Sequence, residues 1–207
     1  MLRALDIGCG SGIPLELTPD RKRYHNWLVE NGGLDVYGVD VDSVKVESMR
    51  RRVPADTQVL WCDAHQLPWD DGYFDVVHIG AALHHMGNWH LGLRESARVL
   101  KPGGNIYILE SVDNDPIFKV LRTIAGSFRG DDIESHFKST RLIREVSKYF
   151  QIKSCQHYWR FYLSDLLLQF NKEPAISVWF NGMVNEIIPR RFQLNWASHV
   201  VIEGVRK

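Results

Sequence analysis

The stretch Leu2-Arg3-Ala4-Leu5-Asp6-Ile7-Gly8-Cys9-Gly10-Ser11-Gly12 decides how this chain is read. An apolar run of strand composition breaks abruptly into three alternate glycines. Glycine at such a point lets the backbone turn sharply and lets a ligand approach where any Cβ would collide. Alone, the pattern is shared by dinucleotide, phosphate and adenosyl sites, so it names a kind of site and not a ligand. A dinucleotide site calls for G-x-G-x-x-G. Here Ile13-Pro14 follow Gly12, and no glycine stands where the third one would pack helix on strand.

Four further segments follow in order: Tyr37-Gly38-Val39-Asp40, Trp61-Cys62-Asp63-Ala64, Phe74-Asp75-Val76-Val77 and Arg98-Val99-Leu100-Lys101-Pro102-Gly103-Gly104. With the glycine turn they closely resemble the class I S-adenosylmethionine-dependent methyltransferases, in particular the small-molecule branch related to ubiquinone/menaquinone C-methyltransferases. The resemblance covers residues 2–110 and is weak beyond them. It implies an α/β fold: a doubly wound, seven-stranded, mostly parallel sheet of order 3-2-1-4-5-7-6 with the last strand antiparallel. S-adenosylmethionine is the cofactor it implies, held by Asp6, Gly8, Cys9, Gly10, Gly12, Asp40, Val41, Asp63, Ala64 and Ile79. Within that set Asp6 would orient the turn and reach toward the methionyl amino group. Asp40 would accept from the ribose hydroxyls. Asp63 would accept from the adenine amine, with the Ala64 N–H facing a ring nitrogen. Asp42 stands close to Asp40 but reads as the cap of the helix after it.

Length and composition agree with one soluble domain spanning 1–207. The chain has 207 residues, 44% of them apolar and 24% charged, enough to bury a layered core. Lys+Arg and Asp+Glu are equal at 25 each, so no overall field draws in nucleic acid, and tRNA and rRNA are disfavoured as substrates. Cys9, Cys62 and Cys155 are odd in number and form no CxxC pair, which points to a reducing, cytoplasmic setting without a zinc site. Neither a secretory leader nor a run long enough to span a membrane is expected.

Short apolar runs alternate with amphipathic stretches through the first half, the signature of βαβ units. The spacing predicts strands near 4–7, 36–39, 58–62, 74–79 and 105–110, with helices over 15–30, 43–52 and 89–100. Lys101-Pro102-Gly103-Gly104 reads as a helix stop and chain reversal. A helix over 139–149 and strands over 151–158 and 199–205 complete the set. The interval from Gly12 to Asp40 exceeds the family's usual length, which fits a loop at 18–24 inserted into the first helix. Relatives carry a helical segment before the first strand. Here that strand starts at once, so either that segment is missing from this sequence or cover for the site comes from elsewhere, the candidates being two variable, lid-like segments, 113–136 and 163–195.

Methyl transfer from a sulfonium is an in-line displacement on an activated carbon. Positioning supplies much of the rate, and a base is needed only where the nucleophile has a proton to lose. The catalytic candidates are His84 and His85, just after the fourth strand, and Glu110, which the resemblance marks at the end of the fifth. His84, His85 and His90 lack metal-ligand spacing, so no metal is expected. The apolar residues of the two variable segments fit packing on the sheet or, in the sharper reading, a lid over a small, apolar or aromatic acceptor. Ile187-Ile188-Pro189-Arg190-Arg191-Phe192 would suit contact with a membrane surface. Two other readings stay open at this level: a binding protein of the same fold without transferase activity, and a protein methyltransferase.

Overall fold

The computed structural model describes residues 2–10, 34–51, 53, 57–112, 114, 138–158 and 199–207. Gly12, the expected helix over 15–30 with its inserted loop, the 187–192 segment and, Asn114 apart, both variable segments lie outside the described residues. In chain order the elements are β1 (Leu2–Ile7), β2 (Leu34–Asp40), α1 (Ser43–Arg50), β3 (Gln58–Trp61), β4 (Phe74–Gly80), a 3-10 turn (Leu83–His85), α2 (Trp89–Val99), β5 (Leu100–Ser111), α3 (Ser139–Tyr149), β6 (Phe150–Tyr158) and β7 (His199–Arg206).

The strands form one sheet of order β3-β2-β1-β4-β5-β7-β6. β1 to β5 pair in parallel, and β7 runs antiparallel to both β5 and β6. This is the expected topology, including the reversed last strand. Strand order reverses between β1 and β4, so their carboxyl ends open the crevice where ligands bind in such sheets.

Strand periodicity places Leu5 and Ile7, Val77 and Ile79, Ile106 and Ile108, and Ile202 in one buried cluster. Helix α2 adds Trp89, Leu93 and Ala97, spaced four apart along a single apolar stripe. Helix α1 is short and starts where Asp42 accepts hydrogen bonds from the N–H groups of Val44 and Lys45. The carboxylate satisfies two of the helix's unpaired donors, which is the capping role expected of it.

One local difference concerns the Lys-Pro-Gly-Gly turn. Leu100 already pairs with Phe74 at the start of β5, and pairing resumes only with Asn105 opposite Val76. Residues 101–104 therefore loop out within the strand instead of separating helix from strand. The bulge is anchored by Lys101, whose ammonium lies 2.6 Å from Asp75 on β4.

Candidate functional site

The site is built from the ends of β1, β2 and β4. At the end of β1 the backbone turns through Gly8 (φ +73°) and Gly10 (φ +61°), both in the left-handed region that favours glycine. The turn is stitched to β2: Gly8 and Cys9 donate to the Val39 carbonyl at 2.8 and 3.0 Å, and Gly10 donates to Asp40 Oδ2 at 2.8 Å. Asp40 Oδ1 accepts from the Asp42 N–H at 2.9 Å. One carboxylate thus ties the glycine turn to the start of α1. A Cβ on Gly38 would lie 3.1 Å from Cys9 Sγ, so the Gly38 position makes room for the turn.

Beyond β3, Asp63 Oδ1 accepts from the His65 N–H at 2.9 Å and stands 3.0 Å from His65 Nδ1. The exposed Trp61 indole donates to the Val41 carbonyl at 2.8 Å, bridging the ends of β2 and β3. The glycine turn packs closely on the opposite wall, where a Cβ on Gly8 would come within 2.4 Å of Ala82 Cβ. That wall includes Ala81, at φ +53° the one non-glycine residue with positive φ among those described.

These pieces enclose a cavity of about 640 Å³, a size typical of small-molecule sites. Among the described residues it is lined by Asp6, Gly8, Cys9, Gly10, Asp40, Val41, Asp63, Ala64 and His85, all expected at the site. It is also lined by Asp42, Lys45, Cys62, His65, His78 and Met86, which were not proposed as ligand contacts. His78 on β4 stands beside Asp6 on β1, with Nδ1 2.8 Å from Asp6 Oδ1. A signal for it existed, since His78 precedes Gly80 by two and so shares its face of the strand.

Three expected residues fall elsewhere. Ile79 is fully buried in the core: strand alternation sends it to the far face, while His78 and Gly80 reach the cavity. Glu110 is fully buried beneath the 3-10 turn, where Oε1 accepts from Ala82 and Leu83 at 2.8 and 2.7 Å. Its Oε2 lies 2.6 Å from His84 Nδ1. Neither Glu110 nor His84 lines the cavity, whereas the exposed His85 does.

The electrostatics follow from this inventory. Among the described residues, Asp6, Asp40, Asp42 and Asp63 face the cavity together with a single lysine, Lys45, which lies 3.8 Å from Asp42. Burial, with Asp6 and Asp40 nearby, pushes the Cys9 thiol far up, and burial beside Asp63 raises Cys62. Both thiols stay protonated and are no nucleophiles. A cavity of this sign suits a cationic ligand rich in hydroxyl and amine donors and opposes one carrying phosphates. Two observations fit such a ligand. A Cβ on Gly10 would meet nothing within 4 Å, so the turn leaves an open cradle. His65 Nε2, on a cavity-lining side chain, is buried without a hydrogen-bond partner.

The family described as "Methyltransferase domain" matches residues 5–108, half of the chain. The 27-O-demethylrifamycin SV methyltransferase of Amycolatopsis mediterranei is 28% identical over 71% of this chain and 57% of its own length. The ubiquinone/menaquinone biosynthesis C-methyltransferase UbiE of Paraburkholderia xenovorans is 34% identical over 57% of this chain and 47% of its own length. The chain thus spans about half the length of these curated relatives. Among solved structures, the geranyl diphosphate C-methyltransferase of Streptomyces coelicolor, in complex with S-adenosyl-L-homocysteine, superposes with a TM-score of 0.65 at 14% identity. That superposition covers 100% of this chain and 74% of the other. Fold, glycine turn and sequence match agree, and the chain belongs to the class I S-adenosylmethionine-dependent methyltransferases.

Proposed function

We propose that this chain binds S-adenosylmethionine in the cavity between β1, β2 and β4 and methylates a small, apolar or aromatic metabolite. The observation that carries the cofactor reading is the sign of the cavity: among the described residues four carboxylates face it against one lysine. S-adenosylmethionine brings a sulfonium and an ammonium against one carboxylate, so it meets such a site with a net positive charge, and its ribose and adenine add only hydrogen-bonding groups. Asp6 would receive the ammonium, Asp40 the ribose hydroxyls, and Asp63 with the Ala64 N–H the adenine edge. The acceptor class is supported by the apolar composition of segments 113–136 and 163–195. It is also supported by the two curated relatives, named for methyl transfer to a rifamycin and in quinone biosynthesis.

When bound, the cofactor supplies a methyl group already activated for displacement. The chain's own task is to hold both partners in line and to keep water out. His85 reaches the cavity and is the candidate to take a proton from an acceptor that must lose one. Glu110 and His84 act behind it as positioning residues, holding the turn from which His85 projects.

Thermal melting with S-adenosylhomocysteine tests the cofactor reading. At one hundred times its dissociation constant it should stabilise the fold by roughly 2.7 kcal/mol, and NAD should have no effect. Stabilisation by NAD alone would overturn the assignment. Transfer of labelled methyl to a panel of quinols, phenols and polyketides then tests the acceptor, and label entering only protein would reject a small molecule.

A further inference from the structure

We propose that His78 is a positioning residue for the amino-acid end of the cofactor, holding the Asp6 carboxylate turned into the cavity. The inference rests on the cofactor reading above and goes beyond it to a residue that reading does not require. β1 and β4 are neighbours at the point where strand order reverses, and their register sets Asp6 directly beside His78. Both line the cavity. The His78 side chain is 6% exposed and that of Asp6 25%, so the imidazole forms the packed back of the pair and the carboxylate its open front.

The chemistry of the contact is directional. With Nδ1–H donating to Oδ1 over 2.8 Å, one oxygen of Asp6 is tied and the carboxylate plane is set. A carboxylate on a strand end otherwise turns about its own Cβ–Cγ bond, and that freedom is lost again whenever a ligand binds. An imidazole locked in the sheet removes that cost beforehand. β2 presents Gly38 beside Asp6, and β5 presents Tyr107 beside His78, with Glu203 next on β7. Burial and the adjacent Glu203 raise the Tyr107 phenol, so it stays neutral.

The test compares two ligands by calorimetry: S-adenosylhomocysteine, and 5′-methylthioadenosine, which keeps the nucleoside and sulfur but lacks the amino-acid end. His78→Leu should weaken the first about tenfold and leave the second within about twofold. His78→Asn, whose amide nitrogen falls near the Nδ1 position, should retain most of the native preference. His78→Gln, with its donor one atom further out, should lose it. This pair of amides decides the matter should the leucine variant not fold. In an Asp6→Ala background, His78→Leu should change the ratio of the two affinities no further. Equal losses for both ligands would make His78 merely structural and overturn the proposal, as would an unchanged ratio in the leucine and glutamine variants. If the native protein bound neither ligand, the cofactor reading itself would fail. Native binding with an unmoved ratio would sink only the role of His78.

Discussion

Glu110 Oε2 lies 2.6 Å from His84 Nδ1, and the other oxygen of the same carboxylate takes the N–H groups of Ala82 and Leu83. One fully buried side chain at the end of β5 therefore gathers three donors from the turn after β4. The wall of the cavity that carries His85 is shaped from beneath, by a residue that does not itself line it.

Glu110→Ala leaves those donors buried without that acceptor and should cost roughly 2–4 kcal/mol of stability. Glu110→Gln keeps an oxygen for the two backbone donors but presents an N–H toward His84, so its loss should be smaller and should come with a reversed His84 ring. Urea unfolding of both variants checks the ranking. Nitrogen chemical shifts of the His84 ring check the tautomer. His85→Ala, at an exposed position, should change stability by no more than about 0.5 kcal/mol.

The strand order was legible in the sequence, and Asp6, Asp40 and Asp63 meet at one cavity because each sits where an apolar run ends, a position that sheet topology turns into a place. Glu110 and Ile79 fall away from the cavity for a different reason. A strand-end residue projects into the site or away from it according to pleat and register, and one position along β4 exchanges His78 for Ile79. Glu110 is a catalytic candidate in the sequence because the family resemblance marks it at the end of the fifth strand. Its burial depends on a turn at residues 82–85 that folds back over it, which no local pattern discloses. The adjacent His84 and His85 could not be told apart for the same reason. His65 and Lys45 went unnoticed as cavity residues because their side chains reach it from a loop and a helix face, not from a strand end.

The close approach of Gly8 to Ala82 makes a paired prediction. Gly8→Ala meets two penalties: a backbone at φ +73° and a Cβ 2.4 Å from that of Ala82. It should lower stability by roughly 2–4 kcal/mol and abolish detectable S-adenosylhomocysteine binding. Adding Ala82→Gly removes the collision but not the strained φ. The double variant should therefore recover part of the stability, and a strictly additive result would show that the contact does not matter.

Asp40 and Asp42 should separate cleanly. Asp40 holds Gly10 and faces the cavity, so Asp40→Ala should weaken S-adenosylhomocysteine binding by roughly 1.5–3 kcal/mol. Asp42→Ala removes the α1 cap, costing about 1 kcal/mol of stability with affinity nearly unchanged. Titration calorimetry with denaturant unfolding reads both quantities, and the reverse ranking would hand the ligand role to Asp42.

The loop that carries Asp63 and Ala64 into the cavity continues into a polar lock that should respond to acid. Arg98 on α2 donates to the carbonyls of Leu67 and Trp69 at 2.9 and 2.7 Å and pairs with both oxygens of Glu95. Glu95 in turn accepts from the Leu67 N–H at 3.0 Å. Its hydrogen bonds with Arg98, aided by the Leu67 N–H, hold the Glu95 carboxyl below its ordinary 4.5. Because the folded value is depressed, the pair's contribution is complete above that ordinary value. It is lost as pH falls below 4.5 and through the lower, folded value. Glu95→Gln should therefore cost roughly 1.5–3 kcal/mol at neutral pH, and the gap from the native protein should close as the solution is acidified. Urea midpoints of the two proteins, measured from neutral pH down to about 3, follow that closure. A gap that stays constant across the range would mean that Glu95 acts through packing alone and that its ionisation contributes nothing to the lock.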